Sequence, residues 1–281
     1  MAEIRVRYAF PDPKLFELVV AYLEISIAGT GPALDLLPPD IPALCFALSG
    51  EWAAGRDPHA LTPFSAPSAL FGPSISSRWL RAQSGTGFAI GLQPLAWPSL
   101  LDAKASDHAN MVSRLCDMWG AHADDLRSQL AAAPDFDARV AIANHYLLSR
   151  ITLPRTSELG AQIACVRAAL SDPDCASVDD MTERVGISQS RLARLSKAYF
   201  GFAPKMLIKR ERFRRMLHRM DAMSYANWRS YIEEQYVDQS HMIRDFNQFL
   251  GMAPTHYMAL DRPIVTAAFE TFRTMMGMQP Q

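Results

Sequence analysis

Two short runs of this 281-residue chain place Gln, Ser and Arg at the same spacing, each with a further basic-type side chain beside the Ser. Gln189, Ser190, Arg191 and Arg194 make up the first, and Gln239, Ser240, His241 and Arg244 the second. Amide, hydroxyl, imidazole and guanidinium groups supply directional donors and acceptors. No nucleophile is paired with a base here, so the chemistry on offer is recognition and not bond making. A guanidinium can bridge O6 and N7 of guanine, and a carboxamide can bridge N6 and N7 of adenine. These residue types therefore suit base edges in a DNA major groove. One polar-faced helix alone would be read most simply as a solvated surface, and the second copy is what weighs against that.

The copies lie fifty positions apart. Gln189, Ser190, Arg194, Gly201, Ala203 and Pro204 are matched by Gln239, Ser240, Arg244, Gly251, Ala253 and Pro254. A solvated face needs only to be polar, whereas a Gln-Ser-x-x-x-Arg face repeated with its core suggests one ligand type met twice.

Each run needs a helix that anchors by its other side. Met242, Phe246 and Phe249 recur at i, i+4, i+7 and form an apolar stripe. Asp238 and Ser188 are capping types, while Gly251 with Pro254 marks a stop. Upstream of the first run, Val178, Met181 and Val185 share a face, and Gly186 suits a left-handed turn residue. Helix, short turn and second helix make a helix-turn-helix unit. The second unit has Trp228, Tyr231 and Ile232 for packing, with Gln235 at the turn position. Between the units, Pro204 to Asp221 reads as one long helix with Met206, Leu207, Phe213, Met216, Leu217 and Met220 at helical spacing.

With both units and the connecting helix in place, the stretch from Cys165 to Arg262 resembles the AraC/XylS family of transcriptional regulators. The motif Asp-Gln-Ser-His-Met-Ile-Arg-Asp-Phe, followed by Gly-Met-Ala-Pro and Tyr257, carries most of the resemblance. It implies sequence-specific binding of double-stranded DNA. Arg194 and Arg244 match the family's DNA-contacting arginine by position. Departures are Gln235 in the turn and Ser196 where the second copy has Phe246, which predicts looser packing in the first unit.

Charge is distributed in keeping with that partner. Net charge is −1 overall, but Val178 to Arg262 holds fourteen Lys/Arg against ten Asp/Glu. Seven basic residues fall between Lys205 and Arg219, with Glu211 the single acid. Cation clusters supply the sequence-independent part of DNA affinity, which makes Lys197, Lys205 and Lys209 candidate phosphate partners.

The front of the chain differs. Ile4, Val6, Tyr8 and Phe10 alternate as on one side of a strand, and Lys14 to Leu23 reads as a short helix entering a strand at Ile25 and Ile27. Pro38 to Pro42 forms a rigid turn before Ala43 to Leu48. Ser76 to Ala82 and Thr86 to Leu92 are further strands. Short strands punctuated by Gly and Pro predict a sandwich or barrel. Its turn and core wording is similar to the β-rich front domain of some AraC-type regulators. From Ser106 to Leu170 the pattern turns helical, with stripes at Val112, Leu115, Met118 and Trp119, at Leu126 and Leu130, and at Val140, Ile142, Ala143 and Leu147. Pro154 to Ser157 reads as the hinge.

The expected fold class is α+β: an N-terminal β-rich sandwich or barrel with flanking helices, then an all-α domain with two helix-turn-helix units joined by a long helix. The domains fall at 1–100 (β-rich sensor), 101–153 (helical, packing on or dimerising the sensor), 160–262 (DNA-binding) and 263–281 (a short helix and tail).

An enzyme reading finds little support. His59 is the only histidine before His108, too few for a barrel metalloenzyme's ligand set. No Gly-x-Ser-x-Gly elbow is present, and Ser84-Gly-Thr-Gly87 lacks the context of a phosphate loop. Cys45, Cys116, Cys165 and Cys175 are scattered, without metal-ligand pairing. No catalytic residue, metal or cofactor is expected. No apolar run reaches membrane-spanning length free of charge or Pro, and the start lacks a signal-peptide core, so a cytoplasmic protein is expected. Trp52, Trp79, Phe88 and Trp97 could line an apolar pocket for a small-molecule effector. RNA polymerase and a second copy of the chain are further candidate partners. The alternative is a ligand sensor or protein-interaction adaptor whose helical domain does not read DNA. That leaves the repeated polar face unexplained.

Overall fold

The computed structural model describes residues 2–64, 66–151, 157–221 and 239–275. Among these residues, ten strands form two antiparallel sheets. The larger has the order β1 (Glu3–Ala9), β2 (Val19–Ala28), β9 (Gly85–Leu92), β4 (Ala43–Ala47), β7 (Ser68–Phe71), β10 (Val112–Arg114). The smaller runs β3 (Ala33–Leu37), β8 (Arg78–Gln83), β5 (Glu51–Gly55), β6 (Thr62–Pro63). Ile27, Trp52, Leu80 and Ala82 belong to one apolar cluster that draws on both sheets, so the front of the chain is the expected sandwich.

Several local expectations change. The segment read as a helix from Lys14 to Leu23 is a single 3-10 turn, Pro13–Leu15, followed by β2. Pro13 and the Asp12 cap favour one turn, but Val19, Val20 and the β-branched residues beyond prefer extended backbone. Phe10 lies past the end of β1 and is 49% exposed, not on the inner face. Val112 to Arg114 is strand β10, paired with β7 in register Val112↔Phe71, so the first helical stripe breaks at Leu115.

Helices follow: α1 (Cys116–Trp119), α2 (His122–Ala132), α3 (Phe136–Ser149) and α4 (Glu158–Ser171). Asp135 caps α3 by accepting from Ala138 N, and Ser157 caps α4 by accepting from Gly160 N. Helix α3 docks on the large sheet through polar ties as well as packing. Arg139 pairs with the buried Glu24 at 2.7 Å, and Tyr22 donates to Asn144 Oδ1 at 2.7 Å. The hinge residues Pro154 to Thr156 lie outside the described residues.

The C-terminal half contains α5 (Val178–Val185), α6 (Gln189–Leu195), α7 (Pro204–Asp221), α8 (Gln239–Leu250), α9 (Pro254–Ala259) and α10 (Pro263–Met275). One apolar cluster runs from the large sheet through Trp97, Leu126 and Phe136 into Met181, Leu192, Phe200 and Leu207. A second gathers Phe213, Met216, Leu217, Met242, Phe246, Phe249 and Tyr257, and takes in Leu36 of β3 and the partly buried Trp79 of β8. The first helix-turn-helix unit thus shares its core with the helices beside the large sheet, while α7 and α8 build a second core against the small sheet.

The expected C-terminal helix is present as α10, and residues 276–281 lie outside the described part. Helix α10 packs against β1 and β3, with Ile264 buried between the sheets and Phe272 edge-on to Tyr8 at 5.8 Å.

Candidate nucleic-acid interface and interior cavity

Helix α5 opens with a reciprocal capping box. Ser177 Oγ accepts from Asp180 N, and the Asp180 carboxylate accepts from Ser177 N at 2.9 Å. It stops at Gly186, whose φ of 69° is the left-handed value a side chain would resist. Ser188 then caps α6 through Arg191 N. Leu192 and Leu195 face inward, leaving Gln189, Ser190, Arg191 and Arg194 exposed. This is the helix, turn and helix read from the residues.

Ser196, the position without a core aromatic, is fully buried, and its hydroxyl oxygen finds no partner among the described residues. The backbone widens there into a π-helical turn, Ser196–Phe200, which brings Phe200 into the core. The counterpart Phe246 stays in a regular helix, edge-on to Phe213 at 5.2 Å. Gly201 and Gly251 close both helices with φ of 87° and 73°.

The recognition candidates have unequal surroundings. Arg194 is exposed and forms no ion pair or hydrogen bond with the described residues. Arg191 reaches back to α4, pairing with Glu158 at 2.9 Å and donating to Gln162 Oε1 at 3.1 Å. Ser190 Oγ lies 3.3 Å from Ser188 Oγ. On α8, Ser240, His241 and Arg244 are exposed, with Arg244 Nε donating to the Ser240 carbonyl at 3.1 Å. The side chain of Gln239 lies outside the described residues. So do the Asp238 cap, the packing residues Trp228, Tyr231 and Ile232, and the turn residue Gln235.

The basic run in α7 is mostly occupied within the protein. Lys197 and Lys205 are exposed. Lys209 instead pairs with the buried Asp245 of α8 at 2.7 Å and lies 5.5 Å from the Phe249 ring. Arg212 reaches the same Asp245 at 3.4 Å. Arg210 is buried beside Glu211 at 3.0 Å and donates to the Ser74 carbonyl at 3.4 Å. Arg214 pairs with Glu211 at 2.9 Å and with Asp40 at 3.5 Å. Burial acts to raise the Glu211 pKa, but Arg214 and Arg210 outweigh it and hold the carboxyl below its ordinary value. Lys209, Arg210, Arg212 and Arg214, four of the seven cations in the run, therefore tie α7 to α8 and to the β-rich part, a use that sequence spacing did not disclose.

A cavity of about 440 Å³ lies inside the sandwich. Ile25, Trp52, Leu80 and Phe88 line it from the sheets, Leu217 and His218 from α7, and Val265, Phe269 and Phe272 from α10. Of the four aromatics expected around a pocket, Trp52 and Phe88 are there. Trp97 is instead wholly buried and stacks on His108, while Trp79 packs on the core of the second unit. Among the described residues, no group of three or more His, Cys, Asp or Glu could hold a metal, and no helix is long and apolar enough to cross a membrane.

Residues 181–259 match the helix-turn-helix domain family. The match spans α6, α7 and α8. The chain as a whole extends well beyond that match, with the β-rich part outside it. Among solved structures it is similar to ToxT from Vibrio cholerae O395, at 10% identity over 92% of this chain and 96% of that one, with a TM-score of 0.42. Unsaturated fatty acid-bound ToxT from V. cholerae strain SCE256 scores 0.43 at 10% identity, covering 92% and 94%. The AraC-like transcriptional activator CuxR scores 0.30 at 14% identity, covering 79% and 88%. Likeness at this level assigns no residue, ligand or partner. A comparison with curated proteins finds no significant match.

Proposed function

We propose that the chain reads two adjacent major-groove segments of one operator with α6 and α8, under the control of a small molecule held in the sandwich cavity. The observation that carries the first part is the repeated polar face. Exposed Ser190 and Arg194 recur as exposed Ser240 and Arg244, each pair opposite a buried apolar stripe. Arg194 and Arg244 are the strongest base-edge candidates, with Gln189, Gln239 and His241 beside them. Arg191 is held by Glu158 and must exchange that partner before it can reach DNA. Lys197 and Lys205 suit phosphates. Lys209 serves the α7–α8 contact in its present pairing. Unlike residues at 191 and 241, and at 197 and 247, imply half-sites of different sequence.

Regulation by a ligand is supported by where the cavity walls come from. Leu217 and His218 lie on the helix joining the two units, so an occupant touches the sensor and the DNA-binding part together. The test is selection of duplexes from a random pool by the intact chain, repeated with Arg194→Ala and Arg244→Ala. Enrichment of one bipartite motif, lost in both variants, supports the reading. Enrichment that neither variant alters would sink it.

A further inference from the structure

The loop between β7 and β8 grips both helix-turn-helix units at the C-terminal ends of their second helices. Ser77 donates its backbone N–H to the Phe249 carbonyl at 2.7 Å and its hydroxyl to the Leu250 carbonyl at 2.9 Å. Carbonyls in the last turn of a helix have no partner within it, so these two donors complete the end of α8. Pro73 packs on Gly201, which closes the helical run begun by α6. A β-carbon built at that glycine would lie 2.6 Å from Pro73 Cγ. Between the two contacts, the Ser74 carbonyl accepts from Arg210 of α7 at 3.4 Å. The loop itself is fixed to the sandwich. Asn110 N donates to the Pro73 carbonyl at 2.8 Å, Ile75 N donates to Asn110 Oδ1 at 2.9 Å, and Asp40 N donates to Ser74 Oγ at 3.1 Å.

These contacts fall where the two units share least. Along α7, the buried Leu207 belongs to the first core and the buried Phe213 to the second, and the buried residue between them is Arg210. The position of α8 relative to α6 therefore depends on α7 and on the loop that spans the gap beside it. Two helices that read one duplex must sit about one helical turn, roughly 34–36 Å, apart. Such helices meet base edges through their N-terminal residues, so a hold on the C-terminal ends leaves the exposed Arg194 and Arg244 facing a duplex. We propose that Ser77 and Pro73 are positioning residues for DNA reading, which fix α8 against α6 and so set the spacing between the two half-sites. Both act through the helices they hold and need no contact with DNA. This rests on the reading of α6 and α8 as the two helices that enter one operator.

The test takes the full chain with the bipartite duplex it enriches, and with duplexes one base pair longer or shorter between the half-sites, read by fluorescence anisotropy. The wild-type chain should prefer its own spacing by at least about ten-fold, since one base pair turns a half-site out of line with its helix. The double variant Pro73→Ala/Ser77→Ala should bring the three spacings within about three-fold of one another. Ser77→Thr keeps both donors and should keep the preference. Where the double variant loses its thermal transition, Ser77→Ala alone is read, with the same narrowing expected. Amide exchange without DNA gives a second reading: residues 196–201 and 245–251 should exchange faster once the loop contacts are removed. A loss of affinity equal at every spacing marks a purely structural part and overturns the proposal. Unchanged exchange in both segments overturns it too, and leaves the DNA reading standing. A wild-type chain that enriches no bipartite duplex defeats the DNA reading, and this role with it, whatever the exchange shows.

Discussion

Asp35, in the middle of β3, accepts hydrogen bonds from the backbone N–H of Ile264 at 2.6 Å and of Val265 at 2.9 Å. Its carboxylate thereby caps α10 from another part of the chain, at the helix end where a negative charge is favoured. Its second oxygen, Oδ1, is buried with no partner. The helix that follows the helix-turn-helix match is latched to the small sheet in this way.

Replacing Asp35 separates the cap from the charge. Asp35→Ala should destabilise the docked helix by about 0.5–2 kcal/mol, the ordinary worth of an N-cap. Amide exchange across residues 263–275 measures it, and unchanged protection there would contradict the latch. Asp35→Asn keeps an acceptor oxygen and should cost less.

The same residue sets a pH dependence. Burial raises the Asp35 pKa, against the opposing pull of the Val265, Ile264 and Leu36 N–H groups and of Arg262. The folded chain then holds a proton that the unfolded chain has released. Stability should fall as pH rises from the ordinary carboxylate value, about 4, through the raised one. Denaturant midpoints across that window should show the decline, and Asp35→Asn should flatten it.

On the recognition faces, Arg194→Ala and Arg244→Ala should each lower operator affinity by about 1–3 kcal/mol while the melting temperature stays put. Fluorescence anisotropy with a labelled operator gives the first quantity and calorimetry the second.

Lys205 and Lys209 are a helical turn apart, and their substitutions should diverge. Lys205→Ala should reduce the salt dependence of DNA binding by about one unit of slope with little effect on stability. Lys209→Ala removes a partner of the buried Asp245 and should cost about 1–3 kcal/mol of stability, discounted because Arg212 remains nearby. Matching salt slopes for the two variants would place Lys209 on the DNA side after all.

Ser196→Ala deletes a buried hydroxyl whose oxygen has no partner. It should be neutral or stabilising by up to about 1 kcal/mol, read as a shift in melting temperature.

Much of this was legible from local pattern. The Gly186 turn, the Ser188 cap and the apolar stripe of α8 are short-range features, and the backbone follows them. Charged side chains were harder. Lys205, Lys209, Arg210 and Arg214 look alike along the helix, yet their different fates depend on Asp245, Glu211, Ser74 and Asp40 arriving from elsewhere. One signal went unread: Asp35 interrupts the apolar strand Ala33-Leu-Asp-Leu-Leu37, where a carboxylate needs a partner brought from a distance.

By itself, then, the sequence determined the α+β layout and the helices α6 and α8, because caps, turns and periodic stripes act over a few residues. Only the tertiary structure decided which cations are already paired within the protein and that α10 walls the sandwich cavity. Those outcomes depend on side chains far apart in the chain meeting in space, and residue spacing carries no record of such meetings.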